Sequence, residues 1–420
     1  MTHTTDTHTL DATLAAVGLT DDRDAWARGW ARSQQTYREG AGDLLNVDRL
    51  SETCHWLAMS ATVRDKLLHA AAAIREDPAI CRLAWHLDWT LSEANDAAFH
   101  RRQWPMLPEQ FGEVGRLFHG VVYLAAVRHA RQRHAALNVP ESISRDTLQD
   151  LELHIQHYHE RHDCWGFNET YWISSHLRGL IYRLGRLQFE IHHFEPDFHG
   201  LRQQTAPAAT RFLAGDGMRF RADGQFADAD GQLAQSGLWQ ARYQADSRTI
   251  HGHPITPDGY AVTEPVALPT DQWQPVLGQG DPVLNVHIPA LGPMDHTACG
   301  ESLTQAMSFF PTYFPDHRFQ AFTCDSWLLD PQLARYLPAA SNIVRFQREF
   351  HLLPWPAAGD HQTLERVFPG KEGLPVDQLP QATSLQRIVV RHMLAGGRWR
   401  MTGGVILRDD LAWGEQVYRR

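Results

Sequence analysis

Three groups of residues in this chain have types and spacings that could do chemistry. The first is the histidine run His154, His157, His159 and His162. On a helix, His154 and His157 are neighbours and His162 falls about one turn further on, while His159 lies off that line. Glu160 and Asp163 are close by, but no HExxH pattern is present. With 25 histidines in the chain, such runs arise by chance, and this one reads as a solvated helix face with no metal site. The second group is nucleophilic. Cys299 sits near an expected helix start, where the positive end lowers a thiol pKa, and Cys324 ends an apolar run before Asp325-Ser326. For both, a buried structural cysteine is the plainer reading. Ser326 lies in C-D-S-W, not in a GxSxG elbow.

The third group surrounds the junction Ile288 to Ser302. An apolar run ends, a short Gly/Pro loop follows, and a helix begins. Free N–H groups at a helix start hold a pyrophosphate without any lysine. Ile288, Ala290, Leu291, Gly292, Cys299 and Gly300 form this cofactor-side set. The arrangement suits acyl transfer from a pantetheine thioester: dock the cofactor along the strand, polarise its carbonyl and deprotonate an acceptor. His287 and Glu190 are the candidate bases. Tyr336 is the candidate acid for the leaving thiolate, with Trp327, Asn342, Arg345 and Gln347 on the acceptor side. Packing and hydrogen-bonded structural roles are the plainer alternatives for each. No GxGxxG or GxxxxGK[ST] occurs, and Gly278-Gln279-Gly280 precedes its strand instead of following it.

These residues need a frame. Val283 to Ile288 reads as a strand. Asp295 or Thr297 caps a helix from about Ala298 to Phe310, with Leu303, Ala306, Met307 and Phe310 on one face. Phe319 to Cys324 reads as a second strand, and Asp330-Pro331 opens a short helix carrying Leu333, Tyr336 and Leu337. Ile343 to Leu352 alternates and reads as a third, partly polar strand. The order is that of an α/β sheet, whose ligands bind where strands end and helices begin. Upstream, residues 43–137 follow a helical period, and the end of that stretch, Arg128, Arg131, Arg133 and His134, reads as a solvated helix terminus. Ser142 or Ser144 caps a helix to about His162. Leu187, Phe189 and Ile191 mark a half-polar strand, and Asp223-Gly224 and Asp230-Gly231 mark hairpins, the second followed by Leu233. Thr363 to Phe368 reads as a short helix, Thr383-Ser384 caps another through Leu394, and Val405 to Leu407 adds a last strand. The domain division falls at 140, giving a helical domain over 1–140 and a sheet-containing domain over 141–420.

Composition limits the partners. The 420 residues suffice for two or three domains, and 39 basic against 49 acidic residues give a net charge of −10, which disfavours nucleic acid. No run is long and apolar enough for a membrane span, and the polar start MTHTTDTHTLD is no signal peptide. Five cysteines with no CxxC pair fit a reducing cytoplasm.

The series VLNVHIPALGP, ACGESLTQA, FFPTYFP and FTCDSWLLDPQLARYLPAASNIVRFQREF resembles a bacterial acyltransferase-like family. Tyr182 to Phe189, Thr383 to Arg387 and Ala395 to Trp399 fit it too. That family pairs a helical N-acyltransferase N-terminal domain with a GNAT-like C-terminal domain. The resemblance implies an α/β (α+β) architecture, a GNAT-like mixed sheet with flanking helices, and an acyl-CoA co-substrate with no metal. It departs from ordinary GNAT enzymes in lacking [QR]-x-x-G-x-[GA] before the main helix, where Leu291-Gly292-Pro293 stands. The expected function is acyl transfer to an amine or hydroxyl of a small molecule. A non-catalytic binder reading a small ligand with Arg345, Gln347 and Glu349 is the second reading, and a hydrolase using Cys324 or Ser326 the third.

Overall fold

The computed structural model describes residues 9–93, 104–205, 209–229 and 236–419. The chain divides into two compact units, residues 1–183 and 184–420.

The first unit is helical. Its longest helix, α1 (Gly112–Ala136), packs against Ala61–Arg75, Pro78–Ser92 and Thr170–Leu177. Leu117, Phe118, Val121, Val122, Leu124 and Ala126 are all buried, so apolar residues surround α1, as suits a central helix. Leu148, Leu151, Ile155, Phe167, Ile173 and Leu177 join the same core, which carries this unit well past Pro140. The segment expected as one helix capped by Ser142 or Ser144 is two, Glu141–Leu148 and Asp150–His162. Ser144 caps nothing: it is buried, with its hydroxyl 2.7 Å from His134 Nδ1. The basic end of α1 is also more than a solvated terminus. Arg133 donates to the carbonyls of Leu91 and Leu177, and Arg128 pairs with Asp88. In Asp150–His162, His154 lies 3.3 Å from Asp150, and His159 stacks on Trp165 at 4.0 Å. Among the described residues, no group of three or more His, Cys, Asp or Glu is placed to hold a metal. Nor is any described helix long and apolar enough to cross a membrane.

The second unit is organised by a six-stranded sheet. Its strands are β1 (Ile181–Leu184), on which the chain passes between units, β2 (Leu187–His193), β3 (Pro282–His287), β4 (Ala321–Ser326), β5 (His351–Ala358) and β6 (Arg400–Leu407). They lie in the order β1-β2-β3-β4-β6-β5. β3 and β4 are parallel and joined through α2 (His296–Tyr313). The pairs β2/β3, β4/β6 and β5/β6 are antiparallel. Asp295 caps α2 by accepting from the Ala298 amide at 2.9 Å. Phe310 of α2 packs on Phe189, which meets Phe322, so α2 covers one face of the sheet. Each such fully buried ring contributes about 2 kcal/mol.

A second sheet, ordered Trp273–Leu277, Phe198–Gln203, Thr210–Ala214, Pro254–Ile255, covers part of the other face. Its Phe198, Phe212 and Leu277 share a core with Val283, Ala321, Val405 and Leu407. The Asp223-Gly224 turn is present: Phe220 bridges to Phe226 around it, and Gly224 has φ +79°. A Cβ on Gly224 would lie 2.5 Å from the Ala261 carbonyl oxygen. Asp230-Gly231 and Leu233 lie outside the described residues.

One strand assignment fails. Ile343 to Leu352 is mostly helix, α3 (Asn342–Glu349), and the edge strand β5 starts only at His351. The Ser341 hydroxyl accepts from the Val344 amide and caps α3. Ile343, Phe346, Gln347 and Phe350 recur at helical spacing, which the alternation of Arg345, Gln347 and Glu349 obscured. At the end of the chain, Thr383 and Gln386 form a capping box for α4 (Ser384–Leu394).

Candidate active site

Cross-strand register puts seven polar residues on one face of the sheet. His192, Glu190 and Gln188 of β2 stand opposite Val283, Asn285 and His287 of β3. Asn285 stands beside Thr323 of β4, and Asp325 follows Thr323 on the same face. Val283 and Ala321 are covered by the second sheet, whereas Asn285, His287, Thr323, Asp325, Glu190 and Gln188 lie further along the strands. His287 Nε2 and Glu190 Oε2 are 3.0 Å apart. Thr323 Oγ1 donates to Asn285 Oδ1 at 3.4 Å. Solvent reaches Asp325, yet protein crowds its carboxyl. Loss of bulk water raises its pKa, His287 and His192 oppose this, and Glu190 and Glu195 add to it.

The ladder between β3 and β4 stops at Asn285 and Thr323. β3 nevertheless runs on to His287, and β4 to Ser326. The two parallel strands therefore part at their carboxyl ends, and the gap opens beside His287 and toward the loop leading to α2. That loop is turned by Gly292 (φ +73°), a left-handed position where nothing would touch a Cβ. Arg186, in the β1–β2 turn, donates to the carbonyls of Pro289, Gly292 and Pro293 at 2.9, 3.2 and 3.1 Å. Ser302 Oγ accepts from the Arg186 and Leu187 amides and donates to the Ala298 carbonyl. The loop's carbonyls thus turn toward one guanidinium. At the start of α2, no acceptor among the described residues reaches the amides of His296 and Thr297.

The expected site residues separate into three sets. Ile288, Ala290, Leu291 and Gly292 lie in the loop at the mouth of the gap, beside the His287–Glu190 pair. Cys299 and Gly300 do not face it. Cys299 is buried, with its thiol pushed up to about 11 chiefly by burial, and a Cβ on Gly300 would lie 2.3 Å from Trp413 Cδ1. Cys324 is likewise buried with its thiol pKa raised by that burial, which disfavours the thiolate that a hydrolase built on Cys324 would need. The third set has other partners. The Tyr336 hydroxyl lies 3.0 Å from His392 Nδ1, whose other ring nitrogen lies 3.2 Å from the Arg398 carbonyl oxygen. Trp327 packs with Leu333, Val389 and Trp399. Gln347 donates to the Leu328 and Asp330 carbonyls, and Arg345 to His296 Nδ1. Asn342 opens α3. These residues hold the frame, and the strand that was to aim Arg345, Gln347 and Glu349 at a ligand is a helix.

Sequence reasoning missed Asn285, Thr323, Asp325, Arg186 and Gln188. A signal existed. Polar residues recur at every second position in three otherwise apolar strands, as Glu190/His192, Asn285/His287 and Thr323/Asp325.

Comparison with known proteins agrees with this architecture. Residues 48–179 match the N-acyltransferase N-terminal domain and residues 181–406 the GNAT-like C-terminal domain. The chain belongs to the family that joins these two domains. Among solved structures, an acyltransferase in complex with decanoyl-CoA and teicoplanin is 25% identical with a TM-score of 0.67, covering 95% of this chain and 99% of its own. An acyltransferase variant in complex with octanoyl-CoA gives the same identity, coverage and TM-score. An acyltransferase in complex with CoA and 10C-teicoplanin is 26% identical over the same shares, with a TM-score of 0.66. No curated protein matches the chain.

Proposed function

We propose that this protein transfers an acyl group from acyl-CoA to an amine or hydroxyl of a small acceptor. The single observation carrying this reading is the parting of β3 and β4, with the His287–Glu190 pair at the gap and two unpartnered amides at the start of α2 just beyond the loop. The pantetheine arm carries amides that suit a strand edge, and the pyrophosphate suits a helix start. The related acyltransferases, crystallised with CoA, octanoyl-CoA or decanoyl-CoA, support the same cofactor.

In this reading the acceptor sits over the polar face of the sheet. Its nitrogen or oxygen attacks the thioester carbonyl carbon, forming a tetrahedral intermediate. Collapse breaks the C–S bond, and the acyl group leaves on the acceptor. The proton lost by the acceptor passes to the His287–Glu190 pair, where Glu190 stabilises the imidazolium. The departing thiolate takes up a proton, releasing CoA–SH. Asp325 and Glu190 give the acceptor side a negative character that favours an ammonium-bearing molecule before it is deprotonated. All five cysteines are free thiols and the net charge is −10, which fits a cytoplasmic enzyme where acyl-CoA is made, with no nucleic-acid partner.

The test is thiol release from octanoyl- or decanoyl-CoA, followed over a panel of amines and alcohols with mass analysis of the acceptor. Acceptor-dependent release with acyl-shifted product is the expected result. Release that no acceptor changes, or none at all, contradicts the assignment.

A further inference from the structure

The last residues of the chain, beyond the GNAT-like match that ends at 406, return to the first turn of α2. Trp413 Nε1 donates to the His296 carbonyl at 2.8 Å. Its indole lies flat enough on the helix that a Cβ at Gly300 would fall 2.3 to 2.8 Å from three of its atoms, so glycine alone leaves room for the ring. The next amide, of Gly414, donates to Glu349 Oε2 at 3.0 Å. The other oxygen of Glu349 lies 2.8 Å from His296 Nε2, and Arg345 donates to His296 Nδ1 at 2.9 Å. Because Arg345 can only donate, Nδ1 accepts and Nε2 carries the proton toward Glu349. His296 is therefore gripped at its backbone by the chain terminus and at its ring by α3.

The terminal segment is itself anchored. The Tyr418 hydroxyl accepts from the Leu407 amide and donates to Asp410. Arg419 donates to the carbonyls of Arg348, Phe350 and Pro257. The segment thus runs as a strap from β6 across α3 to the start of α2. Its contact falls on the residue whose amide, with that of Thr297, is left without an acceptor.

We propose that Trp413 is a positioning residue for acyl-CoA: the strap sets the direction of the His296 and Thr297 amides that receive the pyrophosphate. The inference rests on the transferase reading, and it deepens that reading by tying cofactor affinity to the chain terminus. Trp413→Phe keeps a ring over Gly300 but removes the N–H, and Trp413→Ala removes both.

Two measurements test it on the full chain. In calorimetric titration with CoA, Trp413→Phe weakens binding about fivefold, as the loss of one hydrogen bond allows, and Trp413→Ala weakens it further. The acceptor KM and kcat at saturating acyl-CoA stay near wild type, which a general loss of fold would not permit. In amide hydrogen exchange, the peptide carrying the Cys299 and Gly300 amides, which close the first turn of α2, exchanges faster in Trp413→Phe, while the β3 peptide does not. The exchange arm does not depend on CoA. If wild type binds no CoA, the transferase reading fails, while faster exchange at Cys299 and Gly300 still establishes the strap. Unchanged exchange, or CoA affinity equal to wild type in both variants, overturns the inference.

Discussion

His287 and Glu190 stand on neighbouring antiparallel strands with imidazole Nε2 and carboxylate Oε2 3.0 Å apart, their side chains 25% and 20% exposed. A histidine held by a carboxylate at the rim of a strand gap is placed to accept a proton from an incoming nucleophile and to be stabilised as imidazolium. His287→Ala is expected to lower kcat by about 100-fold or more. Glu190→Gln is expected to lower it less, since the ring survives but loses its anionic partner. Calorimetry should find CoA affinity unchanged in both. Full activity in His287→Ala would remove the pair from the mechanism.

Arg186 controls the loop instead of the chemistry. Its guanidinium gathers three carbonyls, from Pro289, Gly292 and Pro293. Hydrogen bonds to a charged group are worth roughly 1.5–3 kcal/mol, less where solvent competes. Arg186→Ala is therefore expected to raise the KM for acyl-CoA by about tenfold while kcat and acceptor KM hold. Equal effects on both substrates, measured by steady-state kinetics, would show that the loop does not serve the cofactor alone.

Ser302 gives a stability test of the same corner. Its buried hydroxyl accepts from the Arg186 and Leu187 amides, which Ser302→Ala leaves without that partner. A loss of about 1–3 kcal/mol in denaturant unfolding is expected. A change below about 0.5 kcal/mol would mean that water replaces the hydroxyl at no cost.

Asp330 links stability to pH. It is fully buried, and burial raises its carboxyl pKa from 3.8 to about 6, against the opposing effect of hydrogen bonds from Gln332 and Arg400 and of the Arg400 charge. The folded state then holds this proton more tightly than the unfolded chain. Its contribution is fully present below pH 3.8 and is lost as pH rises through about 6. The size is on the order of 2–3 kcal/mol. Asp330→Asn cannot titrate, so the difference in unfolding free energy between wild type and variant should change across this window. A constant difference from pH 4 to pH 7 would contradict the assignment.

Local chemistry made much of this frame legible. Asp295 before α2, Thr383 before α4, and the apolar runs of β3 and β4 announce themselves through caps and β-branched content. The His287–Glu190 pair could be named because both residues interrupt apolar strands, although their 97-residue separation hid the contact. α3 failed because the polar residues Arg345, Gln347 and Glu349 alternate by accident over five positions, while its apolar residues keep helical time. The helices after Pro140 were assigned to the wrong side of the domain division because a proline turn looks alike between domains and within one. Arg186 and Trp413 were beyond reach, since each acts on a segment more than 100 residues away.

The central claim is that the start of α2 receives the phosphates of acyl-CoA. Thr297→Pro removes one of the two unpartnered amides, at a place where the first helical turn tolerates proline. Calorimetric titration with CoA should show saturable binding to wild type, weakened about tenfold or more in Thr297→Pro with little change in thermal unfolding. Absence of heat with wild type, or equal affinity in the two proteins, would contradict the account.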